Sequence, residues 1–377
     1  MATRSILSAF ARAYCAAAAC LCLVPHTTRA EPPASAPKPL EGDYVIPNFR
    51  FASGETLPEL RLHFVTIGKA HRDAQGRVDN AVLILHGTGG SAHSFLVDRF
   101  AQVLFGKGQL LDANRYYIIL PDGIGHGASS KPSDGLHTHF PQYDYGDMVA
   151  AQYALTTQGL HVDHLRLVLG ASMGCMHTWM WAERFPEFVD ALMPLACLPV
   201  QIAGRNRVWR ELIMDAIRSD PQWLQGEYRS EPLGALHSAA AILLIADSSP
   251  IQMQLALPTR DAADEFVRKY MELEINDLDA NDLLYQVNAS RNYDPSADLE
   301  KITAPVMWIN SGDDFVNPPA LGIAENEIKR VKHGRFVLLP ASDQTHGHGT
   351  YTWAAVWRQY LGELLASSEP KSGKQAP

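Results

Sequence analysis

Gly170-Ala171-Ser172-Met173-Gly174 is the stretch whose reading decides the fold. An apolar run, Leu165-Arg166-Leu167-Val168-Leu169, precedes it, and a helix-like segment from Cys175 to Arg184 follows it. Strand, Gly-x-Ser-x-Gly, helix is the arrangement of a nucleophile elbow. So sharp a turn strains the serine, and side chains two residues before and after it would collide, hence glycine at both places. The serine Oγ is then expected at the C-terminal edge of a sheet, above the N-terminus of the next helix. That helix end carries free N–H groups and partial positive charge, which suit a developing oxyanion. The pattern alone is weak: with Gly and Ser each near 7% of residues, about 0.1 chance matches are expected in a chain of this length. Its weight comes from what surrounds it.

The chain has 377 residues, 46% of them hydrophobic and 19% charged, with a formal net charge of −9. That length holds one large α/β domain with an insertion, or two domains. The composition is that of an ordinary globular protein. The acidic balance argues against a nucleic-acid partner.

Residues 1–30 read as a secretory signal peptide. Arg4 and Arg12 lie in or near its basic region, and Thr28-Arg29-Ala30 offers a cleavage site. Ala13 to Val24 is apolar but shorter than the ~20 residues a membrane span needs. The expected product is an exported protein, periplasmic or secreted, with no stable membrane anchor. Cys15, Cys20 and Cys22 leave with the signal, so Cys175 and Cys197 remain. An exported protein could oxidise such a pair. Two buried free thiols are the simpler expectation, since two cysteines make no disulfide framework.

Residues 31–41 form a Pro-rich linker, and the polar tail 367–377 is expected to be disordered. Between them, short apolar runs alternate with helix-like segments. The expected buried strands are Ala81–Leu85, Tyr116–Leu120, Leu165–Leu169, Ala191–Leu195, Val306–Ile309 and Phe336–Leu339. Leu60–Ile67 alternates more strictly and reads as an edge strand. Runs apolar on both faces, separated by helices, indicate a mostly parallel central sheet with helices on both faces. The rhythm breaks over 200–299, where only helix-like segments occur: Asn206–Arg218, Leu236–Ala246 and Ala262–Glu274. That stretch is expected to be a helical lid inserted into a core made of 42–199 and 300–366.

The elbow and this rhythm together resemble the α/β-hydrolase superfamily, whose fold is therefore expected here. The resemblance implies a catalytic acid and then a histidine, in that order, after late strands. Val306–Ile309 is followed by Asn310-Ser311-Gly312-Asp313-Asp314-Phe315-Val316-Asn317-Pro318. Asp314 is preferred to Asp313 because superfamily members usually place a proline four residues after the acid, as Pro318 stands here. Phe336–Leu339 leads to Thr345-His346-Gly347-His348-Gly349. His348, bracketed by glycines before a terminal helix, is the expected base, with His346 as the alternative. His-x-His is also half a metal site, but no Cys/His cluster at zinc spacing accompanies it, so neither metal nor cofactor is expected. The oxyanion hole needs two backbone N–H groups. Met173, after the nucleophile, supplies one; Thr88, in the His86-Gly87-Thr88-Gly89-Gly90-Ser91 loop, is the expected second. His86 reads as a structural residue.

Longer stretches narrow the resemblance. Gly170-Ala171-Ser172-Met173-Gly174-Cys175-Met176 with Trp181-Ala182 is similar to the elbow of homoserine O-acetyltransferases. So are Pro121-Asp122-Gly123-Ile124-Gly125-His126-Gly127-Ala128-Ser129-Ser130, Asp147-Met148-Val149 and Ser219-Asp220-Pro221-Gln222-Trp223. The resemblance also implies a homodimer formed through the lid helices. Two departures stand out. That family places an ammonium-binding aspartate after the catalytic histidine, where this chain has Gly349. It also uses a lid arginine for the substrate carboxylate, and Ser230 to Thr259 holds no Arg and no Lys. An amino-acid acceptor would leave its charges unpaired there, at high cost in a closed site. Acetyl-CoA is also a cytosolic donor. The expected function is therefore an exported serine hydrolase. It would cleave a small or medium neutral carboxylic ester through Ser172, His348, Asp314 and an acyl-enzyme. An O-acyltransferase is the first alternative and a non-catalytic binding protein the second.

Overall fold

The computed structural model describes residues 37–369; the expected signal peptide, most of the linker and most of the tail lie outside them. One sheet organises the chain. Its strands are β1 (Leu40–Arg50), β2 (Thr56–Ile67), β3 (Ala81–Leu85), β4 (Tyr117–Pro121), β5 (Leu167–Ala171), β6 (Leu192–Leu195), β7 (Val306–Ser311) and β8 (Gly334–Leu339). Their spatial order is β1-β2-β4-β3-β5-β6-β7-β8. β2 is antiparallel to both neighbours, and every pair from β4 to β8 is parallel.

The central strands are buried on both faces, so side chains alternate between two apolar layers. Leu83, Leu85 and Val168 join Met148, Trp179 and Trp181 of α2 (Tyr145–Ala154) and α3 (Met173–Arg184). Val82, Ile84, Leu167 and Leu169 join Phe100 and Leu104 of α1 (Asp98–Leu104) and Trp357 and Leu361 of α10 (Ala354–Ser367). This is the expected α/β-hydrolase fold.

One strand differs from expectation. Leu60–Ile67 lies in β2, which has partners on both sides, and the edge strand is β1. β1 takes Leu40 and Glu41 from the expected linker and pairs with β2 from Leu40↔Thr66 to Arg50↔Thr56. Most of its residues face solvent or are half-buried, and Pro47 stands within it, so its one apolar run, Tyr44-Val45-Ile46, is too short to read as a strand.

The lid lies between β6 and β7. It comprises α4 (Gly204–Ser219), α5 (Leu233–Asp247), α6 (Pro250–Ala256), α7 (Arg260–Glu274) and α8 (Ala280–Asn288); α9 (Ile323–Glu327) follows β7. α6 and α8 fall outside the expected helices because both are short, and their start signals are single caps, Ser249 and Asp279. The lid has its own apolar core, including Ile213, Ile217, Leu236, Leu283 and Val287. It is pinned to the sheet domain where Asp282 accepts from the Ser133 N–H at 2.9 Å and the Ser133 hydroxyl at 2.7 Å. Gln286 adds a bond to the Gly125 carbonyl at 2.8 Å. Among the described residues no single helix is long and apolar enough to cross a membrane.

Candidate active site

β5 ends at Ala171 and α3 begins at Met173, which leaves Ser172 alone at the turn with φ 53° and ψ −111°. A non-glycine residue there is strained. The flanking glycines answer to two separate contacts. A Cβ on Gly170 would lie 2.0 Å from the Gly174 carbonyl oxygen, and one on Gly174 would lie 2.0 Å from that of Leu85. The second contact is with the end of β3, which the elbow touches directly.

His348 reaches this serine from the loop after β8. Its Nε2 is 2.8 Å from Ser172 Oγ, and its Nδ1 is 3.1 and 3.0 Å from the two oxygens of Asp314. A carboxylate facing Nδ1 holds the proton on that nitrogen and leaves Nε2 to accept from the serine hydroxyl. Asp314 also accepts from the Val316 N–H at 2.8 Å, the Asn317 N–H at 3.1 Å and the Asn317 side-chain amide at 3.1 Å. Ser172, His348 and Asp314 are all buried, at 9%, 5% and 2% exposure. Burial works against both charges, yet the pair outweighs it. The His348 imidazole is held above its ordinary value by Asp314 and, further off, Asp247. The Asp314 carboxyl is held below its ordinary value by His348 and Asn317.

The two alternatives are engaged elsewhere. Asp313 accepts from the Ser249 hydroxyl at 2.8 Å and the Gly347 N–H at 2.9 Å, so it ties the α5–α6 hinge to the histidine loop. His346 stacks on Trp353 with ring centres 3.8 Å apart. Burial, aided by Arg99, presses its pKa down to about 4. Among the described residues no three His, Cys, Asp or Glu side chains are grouped to hold a metal ion.

The loop after β3 lies against Ser172: a Cβ on Gly87 would sit 3.2 Å from Ser172 Cβ. His86 shapes that loop. It donates from Nδ1 to the Gly87 carbonyl at 2.8 Å and accepts at Nε2 from the Gly123 N–H at 2.9 Å. Burial keeps its pKa low, which suits a neutral structural histidine. Asp122 staples the same region by accepting from the Ala92 N–H at 2.6 Å and the Ala128 N–H at 2.8 Å. The Pro121–Ser130 motif thus builds the floor beside the elbow.

Sequence reading missed three features. Cys175 and Cys197 are joined by a disulfide, with Cα atoms 5.8 Å apart and both residues fully buried, which corrects the expectation of free thiols. The cause is strand adjacency: β5 and β6 pair through Ala171↔Leu195, so the chains leaving them start side by side. Asp247, at the end of α5, is exposed as a residue, yet burial of its carboxyl holds it above the ordinary value, and it lies within electrostatic reach of His348 and Asp314. Its signal was that it is the lone acid between Pro232 and Thr259. Arg210 of α4 lies within reach of His348 but is 1% exposed. It donates to Asn206 Oδ1 at 3.0 Å and lies over the Trp209 ring at 4.4 Å.

Comparison with known proteins places the chain in a family. The model of the alpha/beta hydrolase fold family matches residues 80–342. A homoserine O-acetyltransferase from Citrifermentans bemidjiense is 31% identical over 343 residues, covering 80% of this chain and 90% of that protein. Among solved structures, the acetyl esterase MekB superposes with a TM-score of 0.74 at 26% identity, covering 87% of this chain and 96% of that one. A homoserine O-acetyltransferase from Bacillus anthracis also superposes with a TM-score of 0.74, at 19% identity, covering 87% and 97%. The chain belongs to the α/β-hydrolase superfamily, in the branch that resembles homoserine O-acetyltransferases.

Proposed function

We propose that this protein is an exported serine ester hydrolase acting on a small or medium neutral carboxylic ester. The hydrogen-bonded chain Ser172–His348–Asp314 carries the proposal. His348 Nε2 takes the serine proton as Oγ attacks the acyl carbonyl. The backbone N–H groups of Thr88 and Met173 receive the oxyanion. His348 then protonates the leaving alcohol, and Asp314 stabilises the imidazolium throughout. Water, activated by His348 in the same way, resolves the acyl-enzyme.

Water is favoured over an amino-acid acceptor by the surroundings of the histidine. A Cβ on Gly349 would meet nothing within 4 Å, so open space stands where the resemblance implies an ammonium-binding carboxylate. Arg210 is shut inside the lid. The Cys175–Cys197 disulfide favours an oxidising compartment and hence export. Exposed Leu233, Ile245, Leu255 and Leu273 suit a homodimer through the lid helices, which sedimentation in solution tests.

O-acyl transfer to an alcohol is the second reading, supported by the names of the curated relatives and by the Asp247 carboxylate within electrostatic reach of His348. Both readings share the acylation step. The test is turnover of a chromogenic acetate ester by the mature protein and its Ser172→Ala variant, with and without homoserine and other alcohols. Loss of turnover in the variant, with free acetate as the sole product in every case, supports the hydrolase. A new ester that accumulates with added alcohol establishes transfer instead.

A further inference from the structure

Thr88 carries a hydroxyl that the fold leaves unused. Its Oγ1 is sealed from solvent and has no hydrogen-bond partner, although the residue as a whole is only half-buried. Burying a hydroxyl without a partner costs stability, so such an atom calls for a reason. Its position supplies one. Thr88 follows Gly87, whose Cβ position is 3.2 Å from Ser172 Cβ. The Gly87 carbonyl is turned back into its own loop, where it accepts from His86 Nδ1 at 2.8 Å and from the Gly90 N–H at 3.0 Å. In a planar trans peptide the next N–H points the opposite way, so the Thr88 N–H is directed away from those partners. A threonine hydroxyl stands within about 3 Å of its own backbone nitrogen when the two are gauche, and its proton rotates freely. One oxygen atom can therefore receive both donors of the same residue.

We propose that the Thr88 hydroxyl is a third oxyanion donor, joining the backbone N–H groups of Thr88 and Met173 around the tetrahedral oxygen. The inference rests on Ser172 being the acyl-accepting nucleophile. No proton is transferred: Oγ1–H donates a hydrogen bond to the oxygen that was the ester carbonyl and keeps its hydrogen. Charge builds on that oxygen only as the Ser172 Oγ–carbon bond forms. A donor without a partner in the free protein thus gains one in the transition state, which is the condition for faster chemistry rather than tighter substrate binding.

The test is a set of variants in the mature protein: Thr88→Val, which keeps the shape and removes the hydroxyl; Thr88→Ser, which keeps the hydroxyl; and Thr88→Ala, in case valine does not fold. Turnover of p-nitrophenyl acetate and inhibition by a trifluoromethyl ketone are measured for each. Thr88→Val is expected to lose about 10- to 100-fold in kcat with KM little changed. Its inhibition constant for the ketone should rise by a similar factor, and its melting temperature should match or exceed that of the parent. Thr88→Ser should retain activity within about threefold. Wild-type kcat in Thr88→Val or Thr88→Ala overturns the inference, and so do equal losses in the serine and valine variants. Ser172→Ala separates the two claims. If it is inactive while Thr88→Val is not impaired, only the third donor falls; if it keeps full turnover, the nucleophile falls with it.

Discussion

His348 Nδ1 lies 3.0 Å from Asp314 Oδ2, while the neighbouring Asp313 carboxylate turns to Ser249 and Gly347. Two adjacent acids thus take different tasks. Asp314 faces the imidazole, and Asp313 holds the loop that carries it. Asp314→Asn would present an amide to Nδ1 and favour the wrong tautomer, so kcat is expected to fall about 10³- to 10⁴-fold with the fold intact. Asp313→Asn loses loop contacts but leaves the His348–Asp314 pair in place, and a loss below about tenfold is expected. Steady-state kinetics of the two variants, with circular dichroism as control, decide the assignment; equal losses would reverse it.

The electrostatics of His348 set the pH dependence. Acylation needs the neutral imidazole, and this group is held above its ordinary value of 6.5. The rate should therefore rise with pH through a midpoint higher than that of a free histidine. Asp247 is one of the anions that hold it up, so Asp247→Asn should move the midpoint to lower pH. His346, with a pKa of about 4, does not titrate in that window, and His346→Phe should leave the midpoint in place. A pH profile of kcat/KM measures all three; an upward move in Asp247→Asn would count against the arrangement.

What could be read from the chain alone was local in sequence. The elbow, the strand before it and the helix after it are contiguous, and Pro318 marks Asp314 from four residues away. The buried parallel strands were legible because both of their faces are apolar. β1 was not, since it lies at an edge with much of its surface in solvent. The Cys175–Cys197 bond depends on which strands are neighbours, and no spacing within the chain reveals that. Asp247 comes within electrostatic reach of the histidine next to a hinge where Ser249 docks on Asp313, a contact between residues far apart in sequence.

The disulfide should be a measurable stabiliser. It closes a loop with a sequence separation of 22, for which cross-linking contributes about 2–4 kcal/mol. It also borders a junction where the Cys197 carbonyl accepts from Trp308 Nε1 at 3.0 Å and Asn310 Nδ2 at 3.2 Å. Denaturant unfolding should show a lower midpoint under reducing conditions. The Cys175→Ala/Cys197→Ala double variant should be equally destabilised and should not respond to reductant. A parent protein whose midpoint ignores reductant would contradict the bond.

Gly174 and Gly349 should respond to substitution in opposite ways. Gly174→Ala drives a Cβ to 2.0 Å from the Leu85 carbonyl, a backbone atom with no freedom to retreat, so the elbow must distort and activity should be lost. Gly349→Asp enters open space, since no atom lies within 4 Å of the new Cβ, and the variant should fold with a melting temperature close to that of the parent. Its carboxylate adds a further nearby anion to Asp314 and Asp247, raising the His348 pKa further and moving the pH midpoint of acylation upward. It also restores the residue that the resemblance associates with an acceptor ammonium. With homoserine present, the fraction of acyl groups recovered as acyl-homoserine should rise from near zero in the parent to a measurable yield by mass spectrometry. Equal yields in the parent and the variant would show that Gly349 does not set the choice between water and an amino-acid acceptor.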